Sequence, residues 1–224
     1  MKKGQPQVIW RRLNIGAGAD RRRRQRLILG MGVVTALVAA IALAAGHSGD
    51  NSADDAKPPA AATPHSRAGA QSTAAKIASA MGSERMFSTE ARHDLLDSIA
   101  EPNRRAEMIR AYDAQYVPFT KRLGLDTAGR PPLGAEFVSR AMPAGVAVRS
   151  YTGNTASVAV WCSTLFGLTG NTVPEEIPVE SGWLTMTVNL RWIGGEWRMT
   201  DVQQTDGPKP GDPGADQFAT VPQL

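Results

Sequence analysis

Apolar positions fall into three regimes along this chain. From Leu27 to Gly46 the sequence LILGMGVVTALVAAIALAAG runs without a charge, and residues 47–70 that follow show no apolar period at all. Beyond them, Ser72 to Met81 and Thr89 to Ile99 carry apolar residues at helical spacing, with Leu95, Leu96 and Ile99 forming a stripe that predicts a buried face. Pro102 stands where a first-turn proline is favoured, and Met108, Ile109, Tyr112, Tyr116, Phe119 and Leu123 then recur at steps of three and four. These predict a third, main helix, which Pro118 is expected to kink or end. Gly124 is the expected stop, and Asp126 to Pro132 reads as a loop.

After that loop the period becomes two. Glu136 to Met142 and Gly145 to Tyr151 predict short strands, and Thr152-Gly153-Asn154 a turn into a longer one over Ala156 to Leu168. Neither face of that strand is clearly polar, which predicts a central position. An insert, Asn171 to Pro178, separates it from Gly182 to Ile193. There Leu184, Met186, Val188, Leu190 and Trp192 share one face, opposite Thr185, Thr187, Asn189 and Arg191. Gly194-Gly195 is a two-residue hairpin turn and Glu196 to Gln203 the last strand. Helices followed by antiparallel strands predict one α+β domain over residues 71–207, its three helices packed on one face of a strongly curved sheet. Residues 208–224 are expected to be a flexible tail, and the core needs no cofactor.

Charge assigns roles to the first segments. Nine Lys and Arg residues face only Asp20 before residue 27, a local charge of +8, so with +4 overall the remainder carries −4. A nucleic-acid-binding domain would show the reverse distribution, so no such binding is expected of the folded part. The run Leu27–Gly46, at about 1.5 Å per helical residue, matches the roughly 30 Å hydrocarbon layer of a membrane. Arg21 to Arg24 before it and Asp50, Asp54 and Asp55 after it place the N-terminus in the cytoplasm. The expectation is thus a basic arm (1–26), a transmembrane helix (27–46) and a disordered Ala/Pro-rich linker (47–70), with the arginines near anionic lipid headgroups. The alternative is a signal peptide cleaved after Ala44, since Ala42-Leu43-Ala44 fits the cleavage pattern; the long pre-apolar region and apolar run favour an uncleaved anchor.

Candidate chemistry is sparse. Cys162, the single cysteine, excludes an intramolecular disulfide and lies in an apolar stretch that marks it as a core residue. His47 and His65 stand apart from each other and from any cysteine, as solvated linker residues would. No phosphate loop, metal spacing or nucleophile elbow is present in the folded region. His93 beside Asp94 and Asp97 is a candidate base whose plainer reading is a polar helix face. Asp113 with Tyr112 and Tyr116 is a candidate acid–base set whose helical spacing also explains the tyrosines as core. Trp183, Trp192 and Trp197 suggest ligand stacking, but Trp192 and Trp197 flank the turn and are expected to pack across the hairpin. Arg191, Asn189 and Gln203 are candidates for a contact surface. No catalytic, cofactor-binding or metal-binding residue is assigned.

The sequence resembles a family. A basic arm, one apolar span, a Pro/Ala-rich tether, then helices and strands ending in GWLTMTVNLRWIGGEWRMTDVQQTDGP (Gly182 to Pro208) are similar to bitopic membrane proteins encoded in conjugative elements of Gram-positive bacteria. The likeness spans about residues 1–208, and its most specific parts are Ser83 to Phe87 (SERMF), the strand around Val160-Trp161 and the W-x-G-G-x-W hairpin. It implies a nuclear-transport-factor-2-like cone, as in the eighth VirB component of type IV secretion and the TcpC proteins. It further implies a non-enzymatic, membrane-anchored scaffold that contacts other transfer proteins and copies of itself from outside the cell membrane. An anchored ligand-binding module, or an isomerase- or cyclase-like enzyme on the same cone, are the alternatives, because fold does not set function.

Overall fold

A computed structural model describes residues 64–222. The arm at 1–26, the apolar span at 27–46 and all but the last residues of the linker lie outside the described residues. Among the described residues no helix is long and apolar enough to cross a membrane.

Three helices come first. Helix α1 (Arg67–Met81) starts five residues before the expected Ser72, because Ser66 caps it: its Oγ accepts from the Gly69 amide at 3.1 Å. Its opening Arg-Ala-Gly-Ala-Gln has no large apolar residue, so periodicity could not mark it, yet alanine is the strongest helix former. Small side chains also let α1 lie close across all four strands, with Ala70, Ala74, Ile77, Ala78 and Met81 buried. After a 3₁₀ turn (Glu84–Phe87), α2 (Thr89–Ile99) is capped by Ser88, whose Oγ accepts from the Ala91 amide. A second 3₁₀ turn (Pro102–Arg104) leads into α3 (Arg105–Leu123), which ends at Gly124 in the left-handed conformation with φ 74°. Pro118 neither ends nor splits this helix. Its ring sits on the solvent side, where the Ala114 carbonyl left without an amide partner is also exposed.

The strands form one antiparallel sheet in the order β1 (Glu136–Tyr151), β2 (Thr155–Thr169), β3 (Ile177–Ile193), β4 (Glu196–Asp206). The two short strands expected before Tyr151 are a single one; a register shift between Pro143 and Gly145 absorbs the irregularity without breaking the pairing with β2. Part of the expected insert belongs to β3, which begins at Ile177 opposite Leu168. The architecture is α+β, three helices with a four-stranded antiparallel sheet, and the strong curvature expected of that sheet is a correction: it is not strongly curled. The strands pair along nearly their whole lengths, interrupted only by local register shifts.

The core lies between helices and sheet. Val158, Val160, Cys162, Phe166 and Leu168 of β2 and Leu184, Met186, Val188 and Leu190 of β3 all face it and are buried. At one end the rings converge on Phe87, with Phe137 at 4.7 Å, Tyr116 at 5.2 Å and Phe119 at 5.8 Å between centroids. Each buried large side chain contributes about 1.5–3 kcal/mol of transfer free energy.

Where a flexible tail is expected, residues 207–222 instead cross the other face of the sheet. Trp161 stacks on Trp183 at 4.5 Å and under Phe218 at 5.7 Å, and its Nε1 donates to the Pro208 carbonyl at 2.8 Å. Val146 and Ala219 exchange both backbone hydrogen bonds, at 2.8 and 2.9 Å, so the segment ends paired with β1. Gly145 makes room for it, since a Cβ there would lie 2.8 Å from that of Phe218.

Candidate functional site

Asp113 is the point where the charged candidates meet, in a different grouping from the expected one. On α2 the buried Leu95 and Leu96, with Ile99 half-buried beyond them, continue back by helical steps to Arg92, which is 1% exposed. Its guanidinium reaches across to α3 and donates from Nε and Nη2 to Asp113 Oδ1 at 3.0 and 2.7 Å. Nη1 donates to the Met86 carbonyl at 2.7 Å, tying in the first 3₁₀ turn, and the guanidinium carbon sits 5.6 Å from the centre of the Tyr116 ring. His93, next along α2, brings Nε2 to within 3.0 and 2.9 Å of the two Asp113 oxygens. Burial works to raise the Asp113 pKa, but the hydrogen bonds and charge of Arg92 and His93 outweigh it and hold the carboxyl below its usual range.

His93 also lines an open depression of about 450 Å³ together with Ser88, Thr89, Glu90, Asp94, Thr127 and Ala128. A carboxylate bound to an imidazole is an arrangement that orients a general base. Here, however, the carboxylate is engaged by Arg92 on Oδ1 and by His93 on both oxygens, so its first role is to neutralise a buried cation and join α2 to α3.

The other sequence candidates are distributed elsewhere. Asp94 and Asp97 are exposed on α2 and make no ion pair with His93. Tyr112 and Tyr116 are buried core residues, and burial, with the nearby Tyr116 and Asp201, pushes the Tyr112 hydroxyl well up, keeping it protonated. The two tyrosines are 3% and 2% exposed, whereas the Asp113 side chain is 29% exposed and turned to Arg92 and His93. Cys162 is fully buried, and burial pushes its thiol up to about 12. Arg191 and Gln203 are exposed, as expected, and Arg191 also bonds from Nη1 to Oε1 of the buried Glu101 at 2.7 Å. Among the described residues no group of three or more His, Cys, Asp and Glu is placed to hold a metal ion.

His65, read as a solvated linker residue, is instead part of an aromatic clamp. Its ring stacks on Trp192 at 4.2 Å and 8°, meets Trp197 edge-on at 5.8 Å, and lies with Nε2 2.9 Å from the Gly153 carbonyl. Trp197 Nε1 donates to the Pro64 carbonyl at 3.2 Å, and Trp192 and Trp197 pack across the Gly194-Gly195 turn at 5.4 Å. The tryptophans therefore hold each other, as expected, and also hold the residues that lead into α1.

No family model matches the chain, and no curated protein matches it in sequence. Among solved structures the chain is similar to the intermembrane space region of the chloroplast protein ARC6, at 16% identity and a TM-score of 0.38, over 62% of this chain and 92% of that one. That likeness is too distant to bear on what the chain does.

Two of the functional contacts have different visibility in the sequence. Arg92 carries a signal: an arginine in register with Leu95, Leu96 and Ile99 must find a carboxylate or remain an unpaired buried charge. The docking of His65 carries none, because its neighbours Ala, Thr, Pro and Ser have no periodicity.

Proposed function

We propose that this chain is a non-enzymatic, membrane-anchored assembly component of a conjugative, type IV-like transfer apparatus, working through protein–protein contacts of an extracytoplasmic α+β domain. Its partners in this reading are other membrane proteins of the apparatus, further copies of itself, and lipid headgroups beside Arg21 to Arg24. The observation that carries the scaffold half is the filled interior. Phe87, Tyr116, Phe119, Phe137 and Phe166 occupy one end of the helix side of the sheet with ring centroids 4.7–6.4 Å apart, which directs recognition to outer surfaces.

The anchor half rests on the uncharged run Leu27–Gly46 with arginines before it and aspartates after it. The transfer role rests on the sequence resemblance. In the same proposal the three helices against a four-stranded sheet are a flatter member of the nuclear-transport-factor-2-like arrangement that the resemblance implies. The test is the frequency of element transfer after in-frame deletion of the gene, with complementation by the intact chain and by residues 64–224 alone. Transfer lost on deletion and restored only by the intact chain supports the reading; transfer unchanged by deletion sinks it.

A further inference from the structure

The hairpin of α2 and α3 turns two oppositely charged faces to solvent, side by side. Helix α2 exposes Glu90, Asp94 and Asp97, and helix α3 exposes Arg110, Val117 and Lys121, together with Glu107, which is paired to Arg104, and Arg122, which lies over the Phe119 ring. Glu90, Asp94, Asp97, Arg110 and Lys121 are in no ion pair of the described residues. Their opposite sides are packed: Leu95 and Leu96 on α2 and Met108, Tyr112, Tyr116 and Phe119 on α3 are buried. Val117, between the cations, is 50% exposed.

Contacts between the helices fix their relative heights. Arg92 and His93 are level with Asp113, and Phe87 is level with Tyr116 and Phe119, so α2 and α3 run antiparallel. Counting from Asp113, Asp94 and Asp97 fall on either side of the level of Arg110, and Glu90 comes level with Gln115 and Tyr116, just short of Val117 and about 8 Å along the axis from Lys121. A surface carrying both signs at neighbouring heights is its own complement. Rotation by half a turn about an axis along the hairpin lays α2 of one copy over α3 of the other, with heights preserved.

We infer that a second copy of this chain docks on the α2–α3 face. Asp94 and Asp97 flank the partner's Arg110, Glu90 meets the partner's α3 beside Val117 with Lys121 reaching back toward it from the next turn, and the two Val117 side chains are covered. The choice of a second copy over a foreign protein follows from the charge complementarity, which the chain supplies in full from a single surface. The inference deepens the scaffold reading by naming one partner. Its test reads mass in solution and not transfer, so the two fail separately.

The experiment is sedimentation equilibrium of the full chain in a mild non-ionic detergent, at low salt and at about 1 M salt, where the screening length falls to about 3 Å. The expected result is a dimer at low salt that dissociates at high salt. Two charge-reversed variants are then compared: Glu90→Lys/Asp94→Lys/Asp97→Lys, and Arg110→Glu/Lys121→Glu. All five positions are exposed, and an unchanged thermal melt checks that each variant folds. Each variant alone is expected to stay monomeric, since its two faces carry one sign, and an equimolar mixture of the two to recover the dimer. A wild-type chain that is monomeric at low salt, an oligomer unmoved by salt and by both variants, or two folded variants that fail to associate on mixing overturns the inference.

Discussion

Replacing Asp113 by Ala removes the counter-charge of a guanidinium that is only 1% exposed. Arg92 then keeps its bond to the Met86 carbonyl but loses the two to Oδ1. Breaking a buried ion pair from one side costs about 3–5 kcal/mol, chiefly because the surviving charge is left without a partner. Asp113 itself is 29% exposed, so water reaches the gap, and about 2–3 kcal/mol is the expected loss at neutral pH. With a urea dependence of about 2 kcal/mol per molar, the unfolding midpoint should fall by about 1–1.5 M. Removing both partners, as in Arg92→Met with Asp113→Leu, should recover most of the loss, since an apolar pair of similar size leaves no orphan charge. The pH dependence has a definite sign. The folded carboxyl is held below its unfolded value of about 3.9, so its contribution is complete above that pH and is lost as pH falls through the folded value. The gap between wild type and Asp113→Ala in urea titrations should therefore be constant near neutrality and shrink below about pH 4. A loss under about 0.5 kcal/mol at neutral pH, the level of an ordinary surface substitution, would refute the buried-pair reasoning.

Three further outcomes are expected. Phe218→Ala should expose Trp161, shifting its fluorescence to the red and making the chain after Asp206 a new protease site, with the helix side of the sheet unaffected. Cys162 should not react with a thiol reagent at neutral pH until the domain is unfolded in urea, because it is buried and its thiol is pushed up to about 12. A chain beginning at Arg67 should melt lower than one beginning at Pro64, through loss of the Ser66 cap and the His65 stack, each worth about 1 kcal/mol.

The sheet was legible because its signals are local. Leu184, Met186, Val188 and Leu190 alternate with polar residues, two glycines make the hairpin turn, and the structure pairs Trp192 with Trp197 across it. The helix stripes were legible for the same reason, and Gly124 stops α3 as its position indicates. What lies outside that grammar went unread. The start of α1 rests on alanines and a serine cap, and the segment after Asp206 on one ring, Phe218, placed against Trp161 by sheet pairing that no linear pattern encodes. At the candidate site His93 and Asp113 stood out singly and Arg92 only through its register with the apolar stripe; their grouping depended on the antiparallel packing of α2 on α3, which brings His93 to Asp113 and leaves Asp94 and Asp97 on the outer face.

That grouping also decides where recognition can occur. A carboxylate that was free beside Tyr112 would make the helix side of the sheet a place for chemistry. Instead Asp113 is turned to Arg92, and Tyr112 and Tyr116 are buried in the core at 3% and 2% exposure. The opposite face of the sheet is partly covered as well, by Pro208 and Phe218 over Trp161. The outer side of α2 and α3 is one place that carries uncommitted charge, with Glu90, Asp94, Asp97, Arg110 and Lys121 exposed and without ion-pair partners among the described residues. Hydrated charges of both signs on one rigid hairpin favour contacts that form quickly, depend on salt and select partners by register. The assembly role proposed above would call on that kind of surface more than on a cavity.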